Sequence, residues 1–273
     1  MFDSHIHSNN SVDGKQTLDQ ICETAISLGL CGVAITDHAN THTYISSGIY
    51  PRIVSLISDV AAAREKYGDK LNILLGIELG EYLFCPEYAD TLLALAEFDF
   101  ILGAIHHVDY PDGTTRAYAH MEFDKMTDGE IEEYLGLYFD QAYKNIDRSD
   151  MDSFAHLTCP LRYVNGKYRM GFDISRLDNK IEKILRRLIE RGISLEVNTH
   201  GLIAEDGEMH TIPDYDILAR YKALGGEKIT LGSDSHVSKT IARNFSSAVE
   251  KLKELGFDGY YYYEKRKPHK IAF

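Results

Sequence analysis

Residues 71–79 read LNILLGIEL, an almost unbroken aliphatic run that carries one carboxylate, Glu78. A short apolar run with β-branched residues suits a strand buried on both faces, as in a parallel sheet. A carboxylate inside such a run is costly unless it is paired or bound to a metal. The stretch therefore raises two questions: what covers both faces of this strand, and what meets Glu78.

The same kind of strand recurs along the chain. FDSHIH (2–7), CGVAITDH (31–38), FDFILGAIHH (98–107), DSFAHL (152–157), ISLEVNT (193–199) and KITLGSDSH (228–236) all read as strands. Between them lie segments with apolar residues at helical spacing: 17–28, stopped by Gly29, then 50–67, 88–96, 127–145, 178–191, 214–224 and 246–255. Thr127 and Glu130 have the spacing of a capping box. GYYYYEKRK (259–267) reads as a last short strand, with its tyrosines packed and alternate rings buried. Strand and helix in turn predict an α/β fold: a parallel sheet closed into a TIM-barrel-like ring of about seven βα units, in one domain over 1–273. An open doubly wound sheet is the alternative. No GxGxxG follows the first strand, which weighs against a dinucleotide-binding version of it.

The ionisable residues gather at one end of these strands. His5 and His7 end the first, Asp37 and His38 the second, and Glu78 the third. His106 and His107 end the fourth, His156 ends DSFAHL, and Asp234 and His236 end the strand of ITLGSDSH. In a parallel barrel the C-terminal strand ends meet at one face, where active sites lie. Imidazoles with a few carboxylates suit zinc, iron or manganese, and Glu78 could bridge two ions with its two oxygens. Two such ions can activate water and clamp a phosphoryl oxyanion. Asp37 reads as a group that orients a neighbour or caps a loop.

Composition narrows the partners. The formal net charge of −13 disfavours a broad nucleic-acid surface, which needs clustered Lys and Arg. No apolar run approaches the roughly 18 residues of a membrane span. The four cysteines, Cys22, Cys31, Cys85 and Cys159, form no CxxC pair and suggest neither a zinc knuckle nor a disulfide framework. Reduced thiols and no visible leader lead us to expect a cytoplasmic protein. The oligomeric state is left open by the sequence.

Taken in order, DSHIHS (3–8), ITDHA (35–39), GIELG (76–80), GAIHHVD (103–109), FAHL (154–157) and LGSDSH (231–236) resemble the motifs of the polymerase and histidinol phosphatase (PHP) family. Within it, HHVD, LEVNTHG and YYYYEKRKP are similar to the stand-alone histidinol-phosphate phosphatases. The resemblance implies a distorted seven-stranded (β/α) barrel with two or three divalent ions (Zn, Fe or Mn). It implies a first ion on His5, His7, Glu78 and Asp234, and a second on Glu78, His106 and His156. A third would use Asp13, His38 and His236. By motif position His106, not His107, is the ligand. Asp13, in NNSVDGK (9–15), otherwise reads as a turn Asp-Gly. The implied reaction is hydrolysis of L-histidinol phosphate, a small phosphorylated substrate, with a hydroxide between the first two ions as nucleophile. His5, His7, Glu78, Asp234 and His236 would be the catalytic set, with His236, Asp234 or a metal-bound water as the candidates to protonate the leaving group. Arg162, in HLTCPLRYV (156–164), is the first candidate for binding phosphate oxygens, because guanidinium offers two parallel donors. His200 and Arg116 follow it. One departure stands out in NTHGLIAEDGEMH (198–210). Ile203 occupies a place where the family pattern puts a basic residue, and Glu205, Asp206 and Glu208 follow. This leaves another small phosphate ester or a nucleotide as the alternative substrate.

Overall fold

The computed structural model describes residues 1–43, 48–201 and 211–273. Its strands are β1 (Phe2–Ile6), β2 (Gly32–Ile35), β3 (Asn72–Gly80), β4 (Phe100–Ala104), β5 (His107–Asp109), β6 (Thr115–Ala117), β7 (Ser153–Phe154), β8 (Ser194–Asn198), β9 (Ile229–Gly232), β10 (Gly259–Glu264) and β11 (Lys267–Ala272). Its α-helices are α1 (Leu18–Ser27), α2 (Ile49–Tyr67), α3 (Pro86–Leu93), α4 (Asp128–Arg148), α5 (Cys159–Leu161), α6 (Asp178–Arg191), α7 (Tyr215–Ala223) and α8 (Phe245–Glu254).

The strands β1-β2-β3-β4-β7-β8-β9 lie side by side in that order, every pair parallel. The two ends of the row then meet. Ile6 bridges Ser235 in parallel, His5 O accepts from the Asp234 N–H at 2.8 Å, and the His7 N–H donates to Ser235 O at 2.9 Å. The sheet is thereby closed into a barrel, with its strands buried and helices covering the outside. Glu78 is fully buried within it, as its place in the aliphatic run requires. No helix among the described residues is long and apolar enough to cross a membrane.

Local chemistry sets the element ends. Thr17 caps α1 with Gln20 closing the box, and Thr127 caps α4 with Glu130. Gly29, at φ 69°, ends the first helical segment. Gly32 faces Phe2 in register, and a Cβ there would lie 2.3 Å from the Phe2 ring and 2.6 Å from Asn72 O. Gly32→Ala should therefore destabilise the fold by about 1–3 kcal/mol, read as a lower midpoint in chemical unfolding. An unchanged midpoint would show that this contact gives way freely.

Some expectations need correction. The strand expected over 98–107 stops at Ala104, and 107–117 forms a separate two-stranded hairpin. DSFAHL contributes only Ser153 and Phe154 as strand, because the chain turns sharply at His156, φ 27°. The helix expected over 88–96 runs from Pro86, whose fixed φ suits a first turn. The last strand ends at Glu264; Lys265 and Arg266 turn at positive φ, and β11 returns antiparallel. The tyrosine run does not alternate: Tyr260 and Tyr263 are buried and Tyr261 and Tyr262 half-buried. Tyr262 stacks on Phe2 with ring centroids 4.4 Å apart, and the Tyr260 hydroxyl accepts the Phe2 N–H at 2.7 Å. Both sides of this ribbon are thus in use.

Candidate metal centre

The barrel brings His5, His7, His38, Glu78, His106, His156, Asp234 and His236 to one face, with Asp13 reaching in from the loop after β1. Glu78 is at the middle. Its Oε1 lies 2.9 Å from His156 Nε2 and 3.2 Å from His106 Nε2. Its Oε2 lies 2.5 Å from His38 Nδ1 and 3.7 Å from both His5 Nε2 and His7 Nε2. Asp234 Oδ1 is 3.6 Å from His5 Nε2 and 3.2 Å from His7 Nε2. Asp13 Oδ2 is 3.2 Å from His236 Nε2 and 3.6 Å from His38 Nε2. His5, His7 and Glu78 are closed to solvent.

The imidazoles are oriented from behind. His5 Nδ1 donates to Glu196 Oε1 at 2.6 Å. His106 Nδ1 donates to Asn40 Oδ1 at 3.0 Å, and His236 Nδ1 to Asp234 O at 3.0 Å. The Ser11 hydroxyl gives its proton to Asp37 Oδ1, 2.9 Å away, so it accepts from His7 Nδ1 at 3.1 Å. Asp37 also takes the N–H and hydroxyl of Ser8, so its reading as a loop-orienting group fits this geometry. In these four histidines the proton sits on Nδ1, and the Nε2 lone pair points inward. That is how ligating histidines are held.

This donor set fits cations. His5 Nε2 and His7 Nε2 face each other at 2.9 Å, a spacing that holds either a shared proton or, once that proton is gone, a cation between two lone pairs. Glu78 Oε2 and His38 Nδ1 are buried, adjacent and without a hydrogen bond. Groups of nitrogen and oxygen donors within 4.8 Å of one another include His5, His7 and Asp234, then His7, His38 and His236, and then His38, Glu78 and His106. The electrostatics agree. Burial acts to raise the Glu78 pKa, but His38, His106 and His5 hold it well below the carboxylate range. Asp234 is held low in the same way against burial, by His5, His7 and His236. Burial pulls His5 down, yet Glu196, Asp234 and Glu78 outweigh it and lift its pKa well above the ordinary value. His7 is pushed well below its ordinary value by burial and by His236 and His38.

The rim residues divide. His200 belongs to the site: its Nδ1 donates to Asp234 O at 3.0 Å, and its ring is 6.5 Å from that of His236. Burial, reinforced by Arg162, lowers its pKa. Arg162 follows α5 directly, six residues beyond His156, is half-buried, and acts on the charges of His200 and Cys159. Arg116 is on the β5–β6 hairpin, stacked over Tyr110 at 4.2 Å and 3.9 Å from Asp112, and its contacts stay local. The short hairpin keeps this guanidinium among its own residues, so the structure does not bring Arg116 into the cluster. His107 leans towards Glu81 (3.5 Å) and stacks on His42, outside the donor set. Ile203, Glu205, Asp206 and Glu208 lie outside the described residues. Cys159 is buried and its thiol pushed up to about 12 by that burial, so it is no nucleophile at neutral pH.

Four supporting residues were not anticipated: Glu196, Glu81, Ser11 and Asn40. Glu81 accepts the backbone N–H groups of His106 and His107. Glu196 carried a readable signal, since it is a lone carboxylate inside the apolar run ISLEVNT, as Glu78 is in its own run.

Residues 3–200 match the model of the PHP domain. The chain is 29% identical to a "Probable histidinol-phosphatase" of Thermotoga maritima over 266 residues, 94% of each chain. It is 28% identical to a histidinol-phosphatase of Lactococcus lactis over 262 residues, 94% of this chain and 91% of that one. Its fold is similar to the crystal structure of a histidinol phosphate phosphatase from Lactococcus lactis, complexed with zinc, L-histidinol and phosphate. That likeness has a TM-score of 0.83 at 24% identity, covering 98% of each chain.

Proposed function

The chain belongs to the PHP domain family, and from this premise we propose that it is a metal-dependent phosphomonoesterase that hydrolyses L-histidinol phosphate to L-histidinol and phosphate. One observation carries the chemistry: the two oxygens of buried Glu78 face two different sets of imidazoles. His5, His7, Glu78 and Asp234 would hold one divalent ion, Glu78, His106 and His156 a second, and Asp13, His38 and His236 a third. Zinc, iron or manganese suits these donors. Bound there, the ions supply the Lewis acidity and the lowered water pKa that ester hydrolysis needs at neutral pH.

The chain's own part is to keep the donors still and their lone pairs inward. It also excludes water from the floor of the site, where His5, His7 and Glu78 are closed to solvent. Asp13 and His236, with side chains 53% and 24% exposed, are the more open members. Arg162 and His200 bind phosphate oxygens at the rim. Arg162→Ala should raise KM about 10–100-fold, the worth of one charged hydrogen bond, and leave zinc content unchanged. An unaltered KM would remove Arg162 from this role.

The named relatives, aligned over more than nine-tenths of the chain, support histidinol phosphate as the substrate. The acidic run after Ile203 favours a second reading, in which another small phosphate ester is turned over. Phosphate release by zinc-loaded protein separates them, with L-histidinol phosphate assayed beside sugar, amino-alcohol and nucleoside phosphates. We expect a clear preference for histidinol phosphate. Turnover of another ester, with histidinol phosphate near background, would transfer the function to that ester.

A further inference from the structure

Glu196 is buried, 1% exposed, and lies behind the donor set rather than in it. It makes three contacts that reach two different ion positions. Oε1 accepts His5 Nδ1–H at 2.6 Å. Oε2 accepts the His156 backbone N–H at 2.7 Å and Asn198 Nδ2–H at 3.2 Å. Asn198 in turn reaches Asp234 Oδ2 at 3.4 Å and, through Oδ1, accepts the His200 N–H at 2.9 Å. His5 and Asp234 belong to one donor group and His156 to the other. His156 also holds a positive φ of 27°, a conformation a side chain rarely adopts unaided. The space for this carboxylate comes from Gly232. A Cβ there would lie 2.4 Å from Glu196 Oε1 and 2.5 Å from His5 Cβ.

We propose that Glu196 is the positioning residue that ties the two ion positions together. One oxygen fixes the tautomer of His5, and the other fixes the backbone turn that aims His156 at Glu78. The inference rests on the metal-dependent reading above. Its logic is one of donors and acceptors. Three N–H groups converge on two carboxylate oxygens, and each is satisfied only while both oxygens accept. A glutamine has one neutral oxygen and one NH2, so one of His5 Nδ1–H and the His156 N–H would face another donor, and the other would exchange a charged acceptor for a weaker neutral one. Hydrogen bonds behind a ligating histidine characteristically govern how tightly the ion is held.

The test is zinc affinity of the folded full-length protein, measured by competition with a chromophoric chelator, with cobalt(II) absorption as a second readout. Glu196→Gln should weaken zinc about 10–100-fold at both positions and change the cobalt spectrum. Asn40→Ala, which removes the acceptor behind His106, should weaken the position shared by His106 and His156 more than the one built on His5 and His7. A Glu196→Gln protein with wild-type affinity, or with loss at one position only, overturns the tie while leaving the proposed function standing. A wild-type protein that binds no zinc, iron or manganese overturns both. Should Glu196→Gln fail to fold, 15N spectra of ring-labelled histidine in the zinc-loaded wild type decide. His5 with a protonated Nδ1 and a metal-shifted Nε2 supports the proposal, and a metal-shifted Nδ1 overturns it.

Discussion

Glu78→Gln should lower phosphate release on the order of 10³-fold or more and leave the protein with less than its full complement of metal. The substitution preserves shape, so the barrel around it has no cavity to fill. What changes is charge and valency. The two Glu78 oxygens face His106 and His156 on one side and His5, His7 and His38 on the other. An amide offers a single neutral oxygen and turns an NH2 towards one of these sets. Metal analysis, initial rates and thermal unfolding on the same preparation separate loss of the site from loss of the fold. A folded variant with its full zinc content and more than a tenth of the activity would sink the shared-ligand assignment.

Chelation should be the other large effect. Ions that bind the folded chain and not the unfolded one stabilise it by about 4 kcal/mol each at 1,000 times Kd. For a chain of this size, stripping two such ions should lower the melting temperature by at least about 10 °C. The loss should also depend on pH. Without metal, His5, His38, His156 and His236 have raised folded pKa values. Their contribution is whole below the unfolded pKa of about 6.5 and is lost as pH rises through the folded values. Glu78 and Asp234, held low, contribute above the unfolded carboxylate range and lose that contribution as pH falls. His7, pushed low, acts against its four neighbours. The stripped protein should thus be most stable between about pH 4.5 and 6.5. Metal binding itself strengthens as histidines deprotonate. The melting-temperature gap between loaded and stripped protein should therefore be wider at pH 8 than at pH 6. Differential scanning calorimetry at both pH values checks this; no gap at either pH would mean the donor set holds no ion, and equal non-zero gaps would overturn the pH dependence.

Much of this architecture could be read from the chain because strands buried on both faces must be apolar, and a carboxylate among them must have a reason. Glu78 stood out on that ground, and the histidines did through their common place at strand ends. Asp13 did not; an Asp-Gly turn is physically ordinary, and only the family resemblance singled it out. Glu196 could have been found by the argument used for Glu78. The β5–β6 hairpin and β11 could not. They are short and mostly polar, and KPHKIA carries a proline and no apolar alternation. Ladder pairing holds them, and pairing leaves little trace in composition. Tyr260 to Tyr263 misled because alternation presumes one dry face, whereas Phe2 and His269 sandwich Tyr262 on the other side.

The seam between β1 and β9 has a consequence for biosynthesis. The bonds that close the barrel are made by His5, His7, Asp234 and Ser235, and Asp3 Oδ1 accepts the Ser233 N–H across 230 positions of chain. On a ribosome adding about 5–20 residues per second, these two stretches emerge about 10–50 s apart. Throughout that interval the nascent polypeptide holds His5 and His7 with no Asp234 to meet them. Truncated products never acquire it. In the donor assignment proposed above, the ion position that uses Asp234 is therefore complete only once residue 234 has been made, whereas the one built on Glu78, His106 and His156 is complete earlier.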